Sequence, residues 1–245
     1  MARAVATELR FPQVNSVIGN SNRNVAAIFD AIKKGANRDV LRAHDWSSLT
    51  VYYEFGFNGI SDLYQLPMSF DHIINGTPWN AIDDRPANGP LTPEMWTEVV
   101  NEVVGVYPTD LNFIVGKFNF TGHGYRPGLK FYPTPVDTGS EMGFSCQFIA
   151  NWHVLDGSNR LLIQKFSSDN DTSLLDTDLI TQAAVVRMKR SLGLSYADDQ
   201  AELLELIKDR ARKDGGPPVM NAGGRRIMWP YPNTGKYVPS RPWRR

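Results

Sequence analysis

The sequence predicts an α+β protein. A helical core is built from N-terminal and C-terminal helices, a β-rich subdomain is inserted between them, and an extended arm closes the chain. Three observations carry this. Apolar residues recur at three- and four-residue spacing in segments on either side of the middle. The middle holds short runs rich in β-branched and aromatic residues, punctuated by glycine and proline. The end shows no amphipathic period and gathers prolines, aromatics and cations. The expected division is residues 1–48 and 167–214 for the two parts of the helical core, 49–166 for the insertion and 215–245 for the arm.

The stretch NVAAIFDAIKKGANRDVLRAHDW (24–46) places Val25, Ile28, Phe29 and Ile32 on one face, and Gly35 is expected to end or interrupt that helix. Val40, Leu41 and Ala43 then lead to Trp46. The period changes at LTVYYEFGF (49–57), which reads as a strand. Further strands are expected at 111–120, 129–133, 144–155 and 161–166. One helix interrupts them, with Thr92 as N-cap, Pro93 in its first turn and Trp96, Val99, Val100 and Val103 behind. NGTPWNAIDDRPANGP (75–90) reads as a long irregular loop.

Helical period returns over 176–192, where Leu179, Ile180, Ala183, Val186 and Met188 form a face and Gly193 can close the helix in the left-handed region. A second helix over 198–213 aligns Leu203, Leu206, Ile207 and the stem of Arg210. Asp198 and Asp199 at its start, and Lys208 to Lys213 at its end, suit the helix dipole.

The chain has 245 residues and 42% apolar composition, enough for a substantial core. Its formal net charge is zero, but the charge is unevenly spread. From Pro217 to Arg245 there are six Lys/Arg and no Asp/Glu, which leaves 20 basic against 26 acidic residues before it. An acidic body with a basic tail points to an interaction arm. Cys146 stands alone, so an intrachain disulfide or a cysteine-rich metal site is excluded. MARAVATELRF lacks the apolar stretch of a signal peptide, and no apolar run is long enough to span a membrane. The expectation is a chain made in the cytoplasm with no membrane partner, in which the sequons at Asn75, Asn119 and Asn170 carry no weight.

Residues 167–176, SSDNDTSLLD, look at first like a calcium loop. Counted from Asp169, however, Leu174 falls where an EF-hand needs glycine and Ile180 where it needs glutamate. The alternative is that these side chains bond nearby backbone amides and turn the chain into the next helix. His44, His72, His123 and His153 show no metal-ligand spacing. GHGYRPG (122–128) has the wrong glycine spacing for a dinucleotide loop and reads as a turn between strands. Cys146 lies inside a strand-like run, and Asp83 and Asp84 lie in a polar loop. No catalytic, metal or cofactor site is expected, and no enzyme activity.

The arm is the candidate site. GGRRIMWPYPNTGKYVPSRPWRR carries the cations Arg225, Arg226, Lys236, Arg241, Arg244 and Arg245 with the aromatics Trp229, Tyr231, Tyr237 and Trp243. Prolines stiffen an extended chain, while aromatics and arginine anchor interfaces. The same mixture would suit single-stranded nucleic acid.

Four stretches, in this order, resemble the head-to-tail adaptor (head-completion, or connector) proteins of tailed bacteriophages. They are HDW (44–46) ending the leading helix, LKFYPTP…GFSCQFIANWHVL, KFSSDNDTSLLDTDLITQAAVVRMKRSLGLSY, and AELLELIKDRARKDGG. The third and fourth are the most specific, and the resemblance spans residues 24–226. It implies a structural virion protein at the head–tail junction. Such adaptors form a homo-oligomeric ring, commonly dodecameric, beneath the portal protein. The ring extends the channel for packaged DNA, without sequence-specific binding, and presents a surface to the next tail or nozzle component. In related adaptors a C-terminal arm reaches the portal. Two other readings stand beside this one. One is a β-rich module binding a ligand such as carbohydrate through Trp79, Trp96 or Trp152; the other is a nucleic-acid-binding protein acting through its basic tail.

Overall fold

The computed structural model describes residues 1–12, 16–101, 110–139, 141–158 and 161–214. Helices α1 (Ala2–Glu8) and α2 (Arg23–Lys34) lead into a π-helical turn (Gly35–Val40) and a 3-10 turn (Ser47–Leu49). Five strands follow: β1 (Thr50–Phe55), β2 (Leu63–Gln65), β3 (Phe70–Ile73), β4 (Trp79–Asn80) and β5 (Arg85–Pro86). Helix α3 (Pro93–Val100) precedes β6 (Asn112–Phe120), β7 (Gly124–Tyr132) and β8 (Phe144–Ala150). The chain ends with β9 (Val154–Leu155), β10 (Leu162–Ile163), β11 (Thr172–Ser173), α4 (Thr177–Ser191) and α5 (Ala197–Asp214). Two compact units result. One takes Met1–Leu49 and the described residues from Asn151 onward, the other Thr50–Ala150.

In the first unit α4 is the central element. Leu179, Ile180, Ala183, Ala184, Val185, Val186 and Met188 are all buried, so it is enclosed on more than one side by α1, α2, the π-helical turn and α5. Asp176 caps it, its side chain accepting from the Asp178 amide, and Gly193 at φ +69° follows its end. Helix α2 buries Val25, Ile28, Ala31 and Ile32 on one face. Gly35 caps and interrupts this α-helix, as expected, but the chain does not turn away there. The chain runs on through the π-helical turn, and a Cβ at Gly35 would lie 3.1 Å from the Ala183 Cβ and 3.2 Å from the Ala184 amide nitrogen. Glycine is there for close approach to α4. Arg187 of α4 then reaches Asp39 of the turn through Nε and a terminal nitrogen at 2.5 and 2.6 Å. The small sheet β10-β9-β11 completes the unit.

In the second unit β1 pairs with β8 from Thr50↔Ile149 to Phe55↔Phe144. Strands β3 and β4 also pair with β8, and β5 pairs with β4. A separate antiparallel sheet has the order β2-β7-β6. Its β6–β7 hairpin runs for nine residue pairs, Asn112↔Tyr132 to Phe120↔Gly124. The core is aromatic. Phe131 lies 5.2 Å, centroid to centroid, from Phe144, 5.3 Å from Phe57, 5.7 Å from Tyr64 and 5.9 Å from Phe113.

The expected helical core carrying a β insertion is therefore corrected. Among the described residues the architecture is mixed α+β and rich in sheet, with three antiparallel sheets and five short helices. The five bulkiest fully buried side chains, Phe57, Phe113, Phe131, Phe144 and Phe148, all belong to the second unit. The physical reason is range. Helical period declares itself within one segment, whereas this ring cluster is assembled from β6, β7, β8 and the turn after β1. The expected arm lies outside the described residues.

Local differences follow the same pattern. The segment expected as an irregular loop contains the tight β4–β5 ladder, Trp79↔Pro86 and Asn80↔Arg85. The strand expected over 144–155 breaks between β8 and β9. The strand expected over 161–166 shortens to Leu162–Ile163, and the turn expected over 122–128 narrows as β7 begins at Gly124.

Candidate functional site

The distal part of the β6–β7 hairpin is an exposed element of the second unit. β2 pairs with β7 at Gly128, Leu129 and Lys130, flanked by bonds from the Phe131 amide to the Asp62 carbonyl and, on the distal side, from the Leu66 amide to the Pro127 carbonyl. Beyond that point, Phe118–Phe120 and Gly124–Arg126 pair only with each other in the ladder. Gly122 and Gly124 turn the chain at φ +78° and +69°, and a Cβ at either would meet no atom within 4 Å. Tyr125 is 75% exposed.

Phe118 and Phe120 lie on one face of the hairpin with Arg126, which stands opposite Phe118. Their rings fold back over glycines. A Cβ at Gly116 would come 3.1 Å from the Phe118 ring, and one at Gly128 2.9 Å from the Phe120 ring. Glycine at these two positions makes room for the rings, within β6 for Phe118 over Gly116 and across the ladder for Phe120 over Gly128. Arg126, half-buried, donates from Nε to the His123 carbonyl at 3.2 Å. Lys117 is exposed. No Asp or Glu occurs from Leu111 to Val136.

The DNDTS segment behaves as backbone support. Asp169 accepts from the Ser16 hydroxyl at 2.8 Å and from the Val17 and Ile18 amides at 3.2 and 3.1 Å. Asp171 accepts from the Ser167 and Ser168 amides at 2.6 and 2.8 Å and from the Ser167 hydroxyl at 3.0 Å. These bonds, to Ile18 first for Asp169 and to Ser167 first for Asp171, hold both carboxyls below the usual range. Both carboxylates are committed to amide donors, which compete with any cation for the same oxygens.

The arm residues Arg225, Arg226, Trp229, Tyr231, Lys236, Tyr237, Arg241, Trp243, Arg244 and Arg245 lie outside the described residues. The last described residue, Asp214, is tied down. Its carboxylate accepts from the Ser47 amide at 2.7 Å and the Ser47 hydroxyl at 2.5 Å, with His44 Nε2 at 3.4 Å. Trp46, between them, is buried and donates from Nε1 to the Val40 carbonyl at 2.8 Å. The HDW motif and the end of α5 are thus joined.

The other sequence candidates are dispersed. Trp79 is buried and offers no stacking face, while Trp96 and Trp152 are half-buried. Cys146 is buried, and burial pushes its thiol up to about 12, which suppresses thiolate chemistry. His153 was legible only as one of four scattered histidines. It is 1% exposed, with Nδ1 3.0 Å from the Ser173 hydroxyl and Nε2 buried without a partner among the described residues. Burial lowers its pKa to about 4. Among the described residues no group of three or more His, Cys, Asp or Glu side chains is placed to hold a metal ion, and no helix is long and apolar enough to cross a membrane. Compared with known proteins, the sequence matches no protein-family model and no curated protein.

Proposed function

We propose that the protein is a structural virion component, a head-to-tail adaptor that forms a ring under the portal of a tailed phage. The ring lengthens the DNA channel and offers the attachment surface for the next tail component. The observation that carries this reading is the union of three of the four stretches that resemble such adaptors. HDW, the DNDTS segment with α4, and α5 belong to one unit, in which Asp214 at the end of α5 bonds Ser47 and faces His44. The basic, aromatic sequence after Asp214 is the portal-docking arm. Ordering such a segment only on docking makes assembly sequential, and many weak arms on one ring gain avidity through effective concentration. An acidic body suits a conduit through which DNA slides without adhering.

The test is solution mass by light scattering after size exclusion, for the protein alone and mixed with the purified portal ring of the same phage. The expected result is a complex with about one copy per portal subunit, the ratio that symmetric stacking of rings requires. A folded protein that leaves the portal's mass unchanged overturns the adaptor assignment.

A further inference from the structure

The structure assigns Asn75 as a self-modifying site, where the side-chain amide is lost to attack by the next peptide nitrogen. This goes beyond the adaptor reading and does not rest on it. The Gly76 nitrogen adds to Asn75 Cγ and closes a five-membered succinimide. The Cγ–Nδ2 bond breaks, and ammonia leaves with the proton of the Gly76 amide. Water then opens the ring, at Cγ to leave aspartate or at the main-chain carbonyl to leave isoaspartate at position 75. Nothing but water is consumed.

Asparagine followed by glycine occurs three times, at Asn58, Asn75 and Asn88, and the fold separates them. The reaction needs a free side chain and a following peptide that can turn its nitrogen toward Cγ. Asn58 is held by its side chain: Oδ1 accepts from the Ile60 and Ser61 amides at 3.1 and 2.9 Å and from the Tyr64 hydroxyl at 3.0 Å. Asn88 is held at both ends. It donates from Nδ2 to Asn112 Oδ1, and its carbonyl accepts from the Phe113 amide at 3.0 Å, so its peptide with Gly89 cannot turn without leaving β6. Asn75 and Gly76 are exposed, and the Asn75 side chain makes no hydrogen bond among the described residues. The Thr77 amide donates to the Ile74 carbonyl at 3.2 Å and Gly76 stands at φ +80°, so Asn75 and Gly76 are the central pair of a β-turn. The peptide joining them makes no backbone bond among the described residues. Glycine lets it flip while both flanks stay in place. Those flanks meet at β8, where the Ile74 amide donates to the Gln147 carbonyl at 2.9 Å and the Thr77 hydroxyl accepts from the Gln147 amide at 3.0 Å. Isoaspartate adds a methylene to the main chain of this turn, and the two flanks then no longer fit Gln147 together.

The experiment incubates full-length protein in water enriched in oxygen-18 at mildly alkaline pH, folded and in urea, followed by peptide mass spectrometry. Ring opening writes the heavy oxygen into the residue that reacted, and an isoaspartyl methyltransferase marks the isoaspartate fraction. In the folded protein Asn75 is expected to gain label about tenfold or more faster than Asn58, whose three bonds must first break. The same gap is expected over Asn88, and both gaps should close in urea. Label at Asn58 or Asn88 at the Asn75 rate overturns the assignment, and so does an unlabelled Asn75. An unchanged order of rates in urea also overturns it, by tracing the preference to sequence alone. Asn75→Gln lacks the five-membered path and should keep amide protection at Gln147 throughout, whereas wild type should lose it in proportion to isoaspartate. Full protection in the modified wild type overturns the predicted loosening at β8.

Discussion

The two units of this chain are held by different means. The sheet unit is an aromatic cluster: Phe55, Phe57, Tyr64, Phe113, Phe131 and Phe144 meet edge to face, tilted or, for Phe55 on Tyr64, stacked, at centroid distances of 5.0 to 6.2 Å. The helical unit brings α4 against its neighbours on small residues, Gly35, Ala183 and Ala184, and then ties them with polar bonds: Arg187 to Asp39, Lys189 to Asp199, Asp169 to residues 16–18. The difference lies in what each can tolerate. A core of large rings is vulnerable to subtraction. A contact of small residues is vulnerable to addition, and polar ties are vulnerable to protonation.

The largest effect is expected from Phe131→Ala, which removes the ring that touches most of the cluster. Phe131 is 1% exposed and closely surrounded, so the site cannot collapse cheaply. The cost should be about 3–5 kcal/mol, read as a shift in the urea midpoint at unchanged slope. A loss below about 1 kcal/mol would mean that the cluster repacks freely, contrary to the close packing of protein interiors.

Acid is the sharper probe of the other unit. The buried His153 ionises at about 4 in the fold against an ordinary 6.5, so between these values the unfolded chain holds more protons. Its contribution is therefore fully present above about pH 6.5, falls as pH drops, and levels off below about 4. The full span corresponds to about 3 kcal/mol at 1.36 kcal/mol per pH unit. His153→Gln should flatten the stability profile of this window relative to wild type. Parallel profiles would show that His153 opens to water before it ionises.

Addition tests the helical contact directly. Gly35→Ala places a methyl 3.1 Å from Ala183 and 3.2 Å from the Ala184 amide, where one neighbour is backbone and cannot swing aside. Helix propensity alone would make the change favourable by about 1 kcal/mol. Overpacking is expected to win, with a net loss of about 1–3 kcal/mol in the same denaturant assay. A stabilised variant would show that α2 and α4 slide apart without penalty.

Gly35 also shows where the sequence is readable and where it is not. Period and caps made α2, α3 and α4 legible, because Thr92 and Gly193 act within their own turns. The interruption at Gly35 was legible, but its reason was not, because Ala183 lies far along the chain. The β4–β5 ladder escaped notice because strands of two residues carry no alternation, and Trp79 is placed by β8 rather than by its neighbours. Helix α1 was missed in a segment read only for targeting. At the candidate site the turn between β6 and β7 was legible from its glycines. Its exposure was not, since that depends on β2 reaching no farther along β7 than Gly128, with one more bond at Pro127. The hairpin thus passed as a connection, while the tail, where charge and aromatics are adjacent in sequence, drew the attention.

The smallest expected effect tests the polar ties at their most exposed point. Asp169 holds residues 16–18 through one hydroxyl and two amides, and these bonds lower its pKa, that to Ile18 first. The folded value lies below the unfolded one, so the stabilisation is present above the ordinary carboxylate range and is lost as pH falls through the folded value. Asp169→Asn keeps the shape and one carbonyl oxygen but removes the charge that strengthens each bond, and it puts an N–H donor in place of the oxygen that accepts from the Ser16 hydroxyl and the Val17 amide. Faster amide exchange at Val17 and Ile18 is expected, with exchange in α4 unchanged, because local opening needs only these bonds to break. In wild type the same two amides should lose protection as the solution is acidified, and in the variant that dependence should vanish. Equal protection in both proteins would mean that the segment is held by its own backbone, and that the polar ties of this unit decorate the packing around α4 without adding to it.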